Sequence, residues 1–340
     1  MTTKLSPLRL AAYGVVLVLA LLLPHLIYPV LALDIVLWGL FAISVDLLLG
    51  FGGLLSFGHA AFWGSGAYVA GIVAKRMGVS FPVAILIGTI VAIILAVPIG
   101  YLSIRRRGIY FAMVTLAFAQ MIYYIINQWR GVTGGENGLQ SIPRTFPGVD
   151  LSSATAFYYA ALPFAVVGYL LAFRVVHSPF GHVLVAIRDN EARAQALGYP
   201  TRWYKLIGFV ISAGLAGSLF AVSRGLADLE YARWTTSGLV VIMTILGGVG
   251  TLWGGVVGAV IVLLLRDWLS KRPELLGVVT GLVFAVIVLG FRRGILGTAL
   301  HWWHERADRV TNRSRAPNAT SMEMPIATII ESEQRGTGSS

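Results

Sequence analysis

Apolar residues along this chain fall into long runs separated by short polar or glycine-rich breaks. A run of about twenty apolar residues can cross a bilayer as a helix, because a helix satisfies its own backbone hydrogen bonds. The pattern predicts spans over Leu10–Tyr28, Leu33–Gly50, His59–Ala74, Pro82–Leu102, Ile109–Gln128, Ala156–Phe173, Lys205–Val222 and Leu275–Phe291, with a more complex apolar stretch over Ser237–Leu265. The expected fold is an all-α polytopic membrane protein with about 8–10 transmembrane helices. Lys4 and Arg9 ahead of the first run resemble a secretory signal. No small-x-small cleavage site follows, so this run is expected to persist as the first helix.

Basic residues between the runs set orientation. Arg105, Arg106 and Arg107 form one cluster; Arg188, Arg193, Arg202 and Lys205 a second; Arg292, Arg293, Arg306 and Arg309 a third. Positive charge stays on the cytoplasmic side, so all three belong there together with both termini. The loop Trp129–Thr155 balances its charges and belongs outside, and its Thr133–Gly138 run is turn chemistry. Parity then requires Ser237–Leu265 to begin and end on one side. It is too short for two full crossings, so a re-entrant hairpin or two half-length helices is expected.

Glycines mark where the breaks fall. Phe51-Gly52-Gly53-Leu54-Leu55-Ser56-Phe57 and Leu246-Gly247-Gly248-Val249-Gly250-Thr251-Leu252 both read apolar, Gly, Gly, x, x, hydroxyl, apolar. Matched glycine-broken helices in two halves of a transporter point to its substrate path. Paired glycines also permit close helix packing, and Gly250, Gly254 and Gly258 form such a ladder. Both readings can hold. Candidate path residues are Asp46, Gly52, Gly53, Ser56, His59, Gly247, Gly248 and Thr251. Asp46 and His59 either touch a zwitterionic substrate or hydrogen-bond to neighbouring helices. Ser56 and Thr251 are placed to satisfy backbone groups freed by the breaks.

One polar insert is unlike the rest. Ser178 to Lys205 is charged and helix-forming. Ser178-Pro179-Phe180-Gly181 reads as a turn and His182–Arg188 as a helix with Val183, Leu184 and Ile187 on one stripe. Asp189 or Asn190 can cap a second helix, Glu191 to Leu197, which Gly198 ends and Pro200 keeps from resuming. Two short helices across the cytoplasmic face suit a partner groove, with apolar knobs on one and Glu191, Arg193 and Gln195 on the other. The alternative is an amphipathic hairpin resting on lipid headgroups.

Composition narrows the class. Only 12% of residues are charged against 57% hydrophobic, too little charge to cover a water-facing surface. The net charge of +11 sits at span ends, so no nucleic-acid partner is expected. There is no cysteine, the six histidines lack metal-ligand spacing, and no Walker-type loop occurs. No cofactor, metal site or catalytic residue is therefore expected. Residues 306–340 turn polar and read as a disordered cytoplasmic tail behind a permease domain at 1–305.

Glu191-Ala192-Arg193-Ala194-Gln195-Ala196-Leu197-Gly198 resembles the Glu-Ala-Ala loop of ABC importer permeases, with Arg193 where the third position is commonly alanine. With the stretches Gly50–Gly71 and Leu246–Ala259, it makes residues 35–295 similar to the branched-chain amino acid permeases of the LivM type. Asp46 departs from an asparagine common there. The resemblance implies a subunit without enzymatic activity that moves branched-chain amino acids by alternating access in a bacterial inner membrane. It implies two cytosolic ABC ATPases, a second homologous permease and a periplasmic binding protein as partners, besides membrane lipid. The coupling loop would then be 178–205, with Arg188, Asp189, Glu191, Ala192 and Gly198 as its docking residues. Relatives that carry urea, short amides or other amino acids keep the substrate open, and an ion-coupled secondary transporter or a membrane-embedded enzyme remain rival classes.

Overall fold

The computed structural model describes residues 18–146, 149–151, 153–217, 225–272 and 294–298, with isolated positions between 274 and 286. The chain is an all-α polytopic membrane protein. Residues 18–26 are helical. Helix α1, Pro29–Asp46, starts on a proline, whose missing N–H costs nothing in the first turn, and runs on as a π-helical turn over Leu47–Phe51. The chain then leaves helical geometry until α2, His59–Met77. Helices α3, Phe81–Ser103, and α4, Ile109–Gln128, follow. A one-turn α5, Arg130–Thr133, leads to a two-residue strand pair with Thr145 opposite Asp150. Helix α6, Ala154–Val176, is capped by Ser153, whose hydroxyl accepts the Ala156 N–H at 3.1 Å.

Two short helices, α7 Pro179–Asp189 and α8 Glu191–Ala196, precede α9, Thr201–Ala216. Then come α10, Trp234–Gly247, and α11, Gly254–Trp268. Helix α1 with its π turn is buried along almost its whole length, whereas α3, α4 and α6 are long, apolar and mostly exposed. Leu86, Ile90, Ile94 and Val97 of α3 and Val167, Leu170 and Leu171 of α6 lie bare. An apolar surface of this extent belongs in hydrocarbon. Central packing uses rings and small residues. Phe41 of α1 stacks on Trp63 of α2 with centroids 4.2 Å apart. A Cβ on Gly258 would lie 1.8 Å from the Met243 carbonyl oxygen, and one on Gly255 3.0 Å from Ala42. Only glycine permits α11 to sit so close to α10 and α1.

The spans differ from expectation mainly at their ends, by a few positions. The first part of the Leu10–Tyr28 run, the end of the Lys205–Val222 run and much of Leu275–Phe291 lie outside the described residues, as does the 306–340 tail. Ser237–Leu265 is two helices of 14 and 15 residues, about 21 and 23 Å long against a hydrocarbon core of about 30 Å.

Contacts at each end define two faces of the molecule. Arg107, after α3, meets Glu191 of α8 at 3.3 Å, so the first two basic clusters share one face. The opposite face holds the 129–155 segment, where Lys75 and Arg76 at the end of α2 donate to the carbonyls of Gln140 and Gly131, each at 2.7 Å. There too, Arg233 lies over the Tyr123 ring and Leu139 bridges to Ala227. Helix α11 returns to this face, since the Tyr28 hydroxyl at the start of α1 donates to Asp267. Thus α10 and α11 begin and end on the 129–155 face with their break turned towards the loop face. Helices α1 and α2 do the same. Arg292, Arg293, Arg306 and Arg309 lie outside the described residues.

Candidate functional site: two helix breaks joined to a polar loop

The two glycine breaks meet each other. A Cβ on Gly50 would fall 2.4 Å from the Gly250 nitrogen and 2.7 Å from its Cα, so the two segments touch backbone to backbone. Asp46, at the end of α1, is fully buried and spends both carboxylate oxygens on the second break. Oδ1 accepts the Gly250 N–H at 2.7 Å and Oδ2 accepts the Leu252 N–H at 3.0 Å. The broken helix leaves these N–H groups without carbonyl partners, and a buried donor left bare is costly. Asp46 therefore caps the opposite hairpin.

The polar loop reaches the same point. Arg188, in the last turn of α7, donates from Nη1 to the Gly50 carbonyl. Its Nε and Nη2 both bond Asp189 Oδ1, at 2.9 and 2.8 Å, which fixes the guanidinium plane. The Arg188 stem lies against Gly53, where a Cβ would come 2.6 Å from Arg188 Cγ. Gly53 has φ +67°, a left-handed conformation that glycine takes without strain. Arg188, Gly50, Gly250 and Asp46 thus form one continuous node.

Around the node the hydroxyls serve the backbone. Ser56 accepts the Gly58 N–H at 3.1 Å. Thr251 donates to the Gly248 carbonyl at 2.7 Å and accepts the Gly254 N–H at 3.0 Å. Gly52 sits where a Cβ would lie 2.8 Å from the Leu48 carbonyl oxygen, and one on Gly247 would lie 1.6 Å from that of Gly254. Gly248 begins the turn between α10 and α11. His59 stands apart. Its Nε2 is 2.7 Å from Ser212 Oγ, and Ser212 gives its one proton to the Ser44 carbonyl. Ser212 must accept from His59, so Nε2 carries the proton and Nδ1 is a bare acceptor, without a partner among the described residues.

The loop folds by local rules. Ser178 caps α7 and Pro179 is in its first turn, so the expected turn at 178–181 is the start of the helix itself. Asn190 Oδ1 accepts the Arg193 N–H at 2.9 Å and caps α8. Gly198 closes α8 with φ +88°. The apolar stripe of α7 is not offered outwards: Leu184 and Ile187 are each 2% exposed, packed into the chain's own body. Glu191 also turns inwards. It bonds Lys205 Nζ at 2.7 Å, meets Arg107 at 3.3 Å and accepts from Thr201 at 3.3 Å. Partial burial pushes its carboxyl up, but the Lys205 ammonium, then Arg107 and Thr201, hold it below the ordinary carboxylate value. Residues left facing water are Ala192, Arg193, Gln195, Ala196, Leu197 and Gly198, with Leu197 72% exposed.

Sequence reasoning did not single out Ser212, Ser237 or Thr115 around the breaks. The Ser237 hydroxyl accepts the Ala60 N–H at 2.8 Å, and Thr115 accepts the Phe57 N–H at 3.2 Å. Lone hydroxyls in apolar runs carry no spacing signal, and each serves a chain segment far away in sequence.

Residues 28–289 match a family described as branched-chain amino acid transport system, permease component. The high-affinity branched-chain amino acid transport system permease protein LivM of Escherichia coli (strain K12) is 26% identical over 281 residues, covering 75% of this chain and 66% of that protein. The protein of that name from Salmonella typhimurium gives the same identity and coverage. A probable branched-chain amino acid transport permease protein LivM of Methanocaldococcus jannaschii is 30% identical over 196 residues, 52% of this chain and 56% of its own. The chain spans just under two thirds of the two bacterial relatives. No solved structure matches it.

Proposed function

Because this chain belongs to the family of permease components of branched-chain amino acid transport systems, we propose that it is the membrane subunit of an ATP-driven importer that moves branched-chain amino acids by alternating access. In this reading two cytosolic ABC ATPases hydrolyse the ATP. A second homologous permease and a periplasmic binding protein complete the assembly in a bacterial inner membrane.

The observation that supports this reading is the node at Arg188. A force on α7 and α8 meets Gly50 through the Arg188 guanidinium, and Gly250 through its contact with Gly50. Both hairpin tips therefore move with the loop. They close the loop-side end of the path, and separating them opens it. Nucleotide state acts only through differential contact of the ATPases with the exposed face of α8. Asp46 has both oxygens committed to backbone N–H groups, which leaves it unsuited to carry a coupling ion.

The test is uptake per ATP hydrolysed in vesicles holding the whole transporter, with leucine, isoleucine and valine compared with urea and short amides. Arg188→Gln keeps ATP hydrolysis and loses most uptake. Gly198→Asn keeps the left-handed turn, meets open space within the chain, and lowers ATPase association. Unchanged uptake per ATP in both variants refutes the coupling role, and uptake without ATPases refutes the importer.

A further inference from the structure

A recess of about 220 Å³ opens on the loop face between α3 and α9, lined by Tyr101, Ile104, Arg105, Arg202, Trp203 and Leu206. It is much larger than the share of one water, about 30 Å³, and smaller than the sites of about 300–1,000 Å³ that hold drug-sized ligands. We propose that it binds the phosphate headgroup of an anionic phospholipid.

The helices meet closely just below the recess. A Cβ on Gly100 would come 2.7 Å from Phe209 and 3.0 Å from Leu206. The recess is therefore the notch left where two packed helices reach the interface. Its chemistry is cationic and uncompensated. Arg107 and Lys205, two and three residues away, both spend their charge on Glu191. Among the described residues no carboxylate lies within ion-pair distance of Arg105 or Arg202. Arg105 is already oriented, with its guanidinium 4.6 Å from the centroid of the Tyr101 ring. Arg202 lies in the first turn of α9, where the helix dipole adds positive potential. Two guanidiniums facing one notch suit a phosphate, which they bind through paired, charge-assisted hydrogen bonds.

The surroundings select a lipid over a soluble phosphate. Ile94, Val97 and Tyr101 form an exposed apolar stripe on α3 that leads into the notch. Trp203 and Ile207, exposed one turn apart, do the same on α9. An acyl chain can lie in this groove while its headgroup sits between the arginines, with Trp203 and Tyr101 at the headgroup level that aromatic residues favour. The basic face is the one that meets the anionic inner leaflet. A lipid there would tie the α3–α4 turn to the start of α9, beside the Glu191 clamp.

The experiment puts the full chain in nanodiscs of equal phosphatidylglycerol and phosphatidylcholine and weighs retained lipid by native mass spectrometry. It needs no ATPase, so it stands or falls apart from the transport reading. The wild type retains phosphatidylglycerol preferentially. Arg105→Gln with Arg202→Gln lowers that preference about thirtyfold, the effect of two basic residues at an anionic surface. Arg105→Lys with Arg202→Lys keeps much of it, which separates lost charge from lost folding. Equal retention of both lipids, equal behaviour of the Gln and Lys pairs, or displacement of the lipid by inorganic phosphate overturns the proposal.

Discussion

Replacing Asp46 by alanine tests whether the node holds the two hairpins together. The substitution leaves the N–H groups of Gly250 and Leu252 buried without acceptors. Each bare buried donor costs about 1–3 kcal/mol, so the loss is about 2–6 kcal/mol. Asp46→Asn keeps one acceptor oxygen but turns an amide donor towards the other N–H, and should cost about half as much. The assay is resistance of the full chain to denaturant in one detergent, paired with uptake per ATP in vesicles. Asp46→Ala should unfold earliest, Asp46→Asn next, and both should couple poorly. Arg188 acts on the same node through Gly50, so the Asp46→Ala and Arg188→Gln losses should not add. Wild-type denaturant resistance in Asp46→Ala, or strictly additive losses, would show that Asp46 is not the cap of the second break.

Close approach at the second break gives a second expectation. Gly247→Ala would place its Cβ 1.6 Å from the Gly254 carbonyl oxygen, so the chain should fail to fold or lose uptake. Gly78→Ala meets nothing within 4 Å, and its left-handed φ of +64° should cost only about 1–2 kcal/mol; comparable expression and melting of the two variants would contradict this. The Glu191 clamp gives a third. Its carboxyl is held below the ordinary value of 4.5, so its stabilisation is complete above that pH and is lost as pH falls through the lowered value. The chain has no cysteine, so a spin label at Leu197→Cys should report a loop that stays docked at pH 6 and loosens only as the pH is taken below the ordinary carboxylate value. In a Glu191→Gln background the label should be mobile at both, and an immobile label there would refute the clamp.

Much of this molecule could be read one residue after another. Composition and run length alone point to helices in a bilayer, because unbroken runs of about twenty apolar residues span it as helices, whereas the strands of a membrane barrel are shorter and alternate. A cap at Asp189 or Asn190, the stop at Gly198 and the paired glycine breaks depend on nearest neighbours, so they stand plainly in the order of residues; the structure chose Asn190. The same-side return of α10 and α11 followed from charge parity and length. What lay beyond the sequence was every partnership between distant segments. Asp46 and His59 were both visible as polar residues in apolar runs, yet only the folded chain puts Asp46 on Gly250 and Leu252 and His59 on Ser212. Arg188 and Glu191 stood in the loop as equals with their neighbours. Tertiary packing tied Arg188 to the Gly50 carbonyl and folded Glu191 onto Lys205, and left Ala192, Arg193 and Leu197 on the surface. The physical reason is that a side chain's type fixes what it can bond, while the partner is set by which backbone groups the packed helices leave unpaired. Those groups exist only once the two hairpins meet.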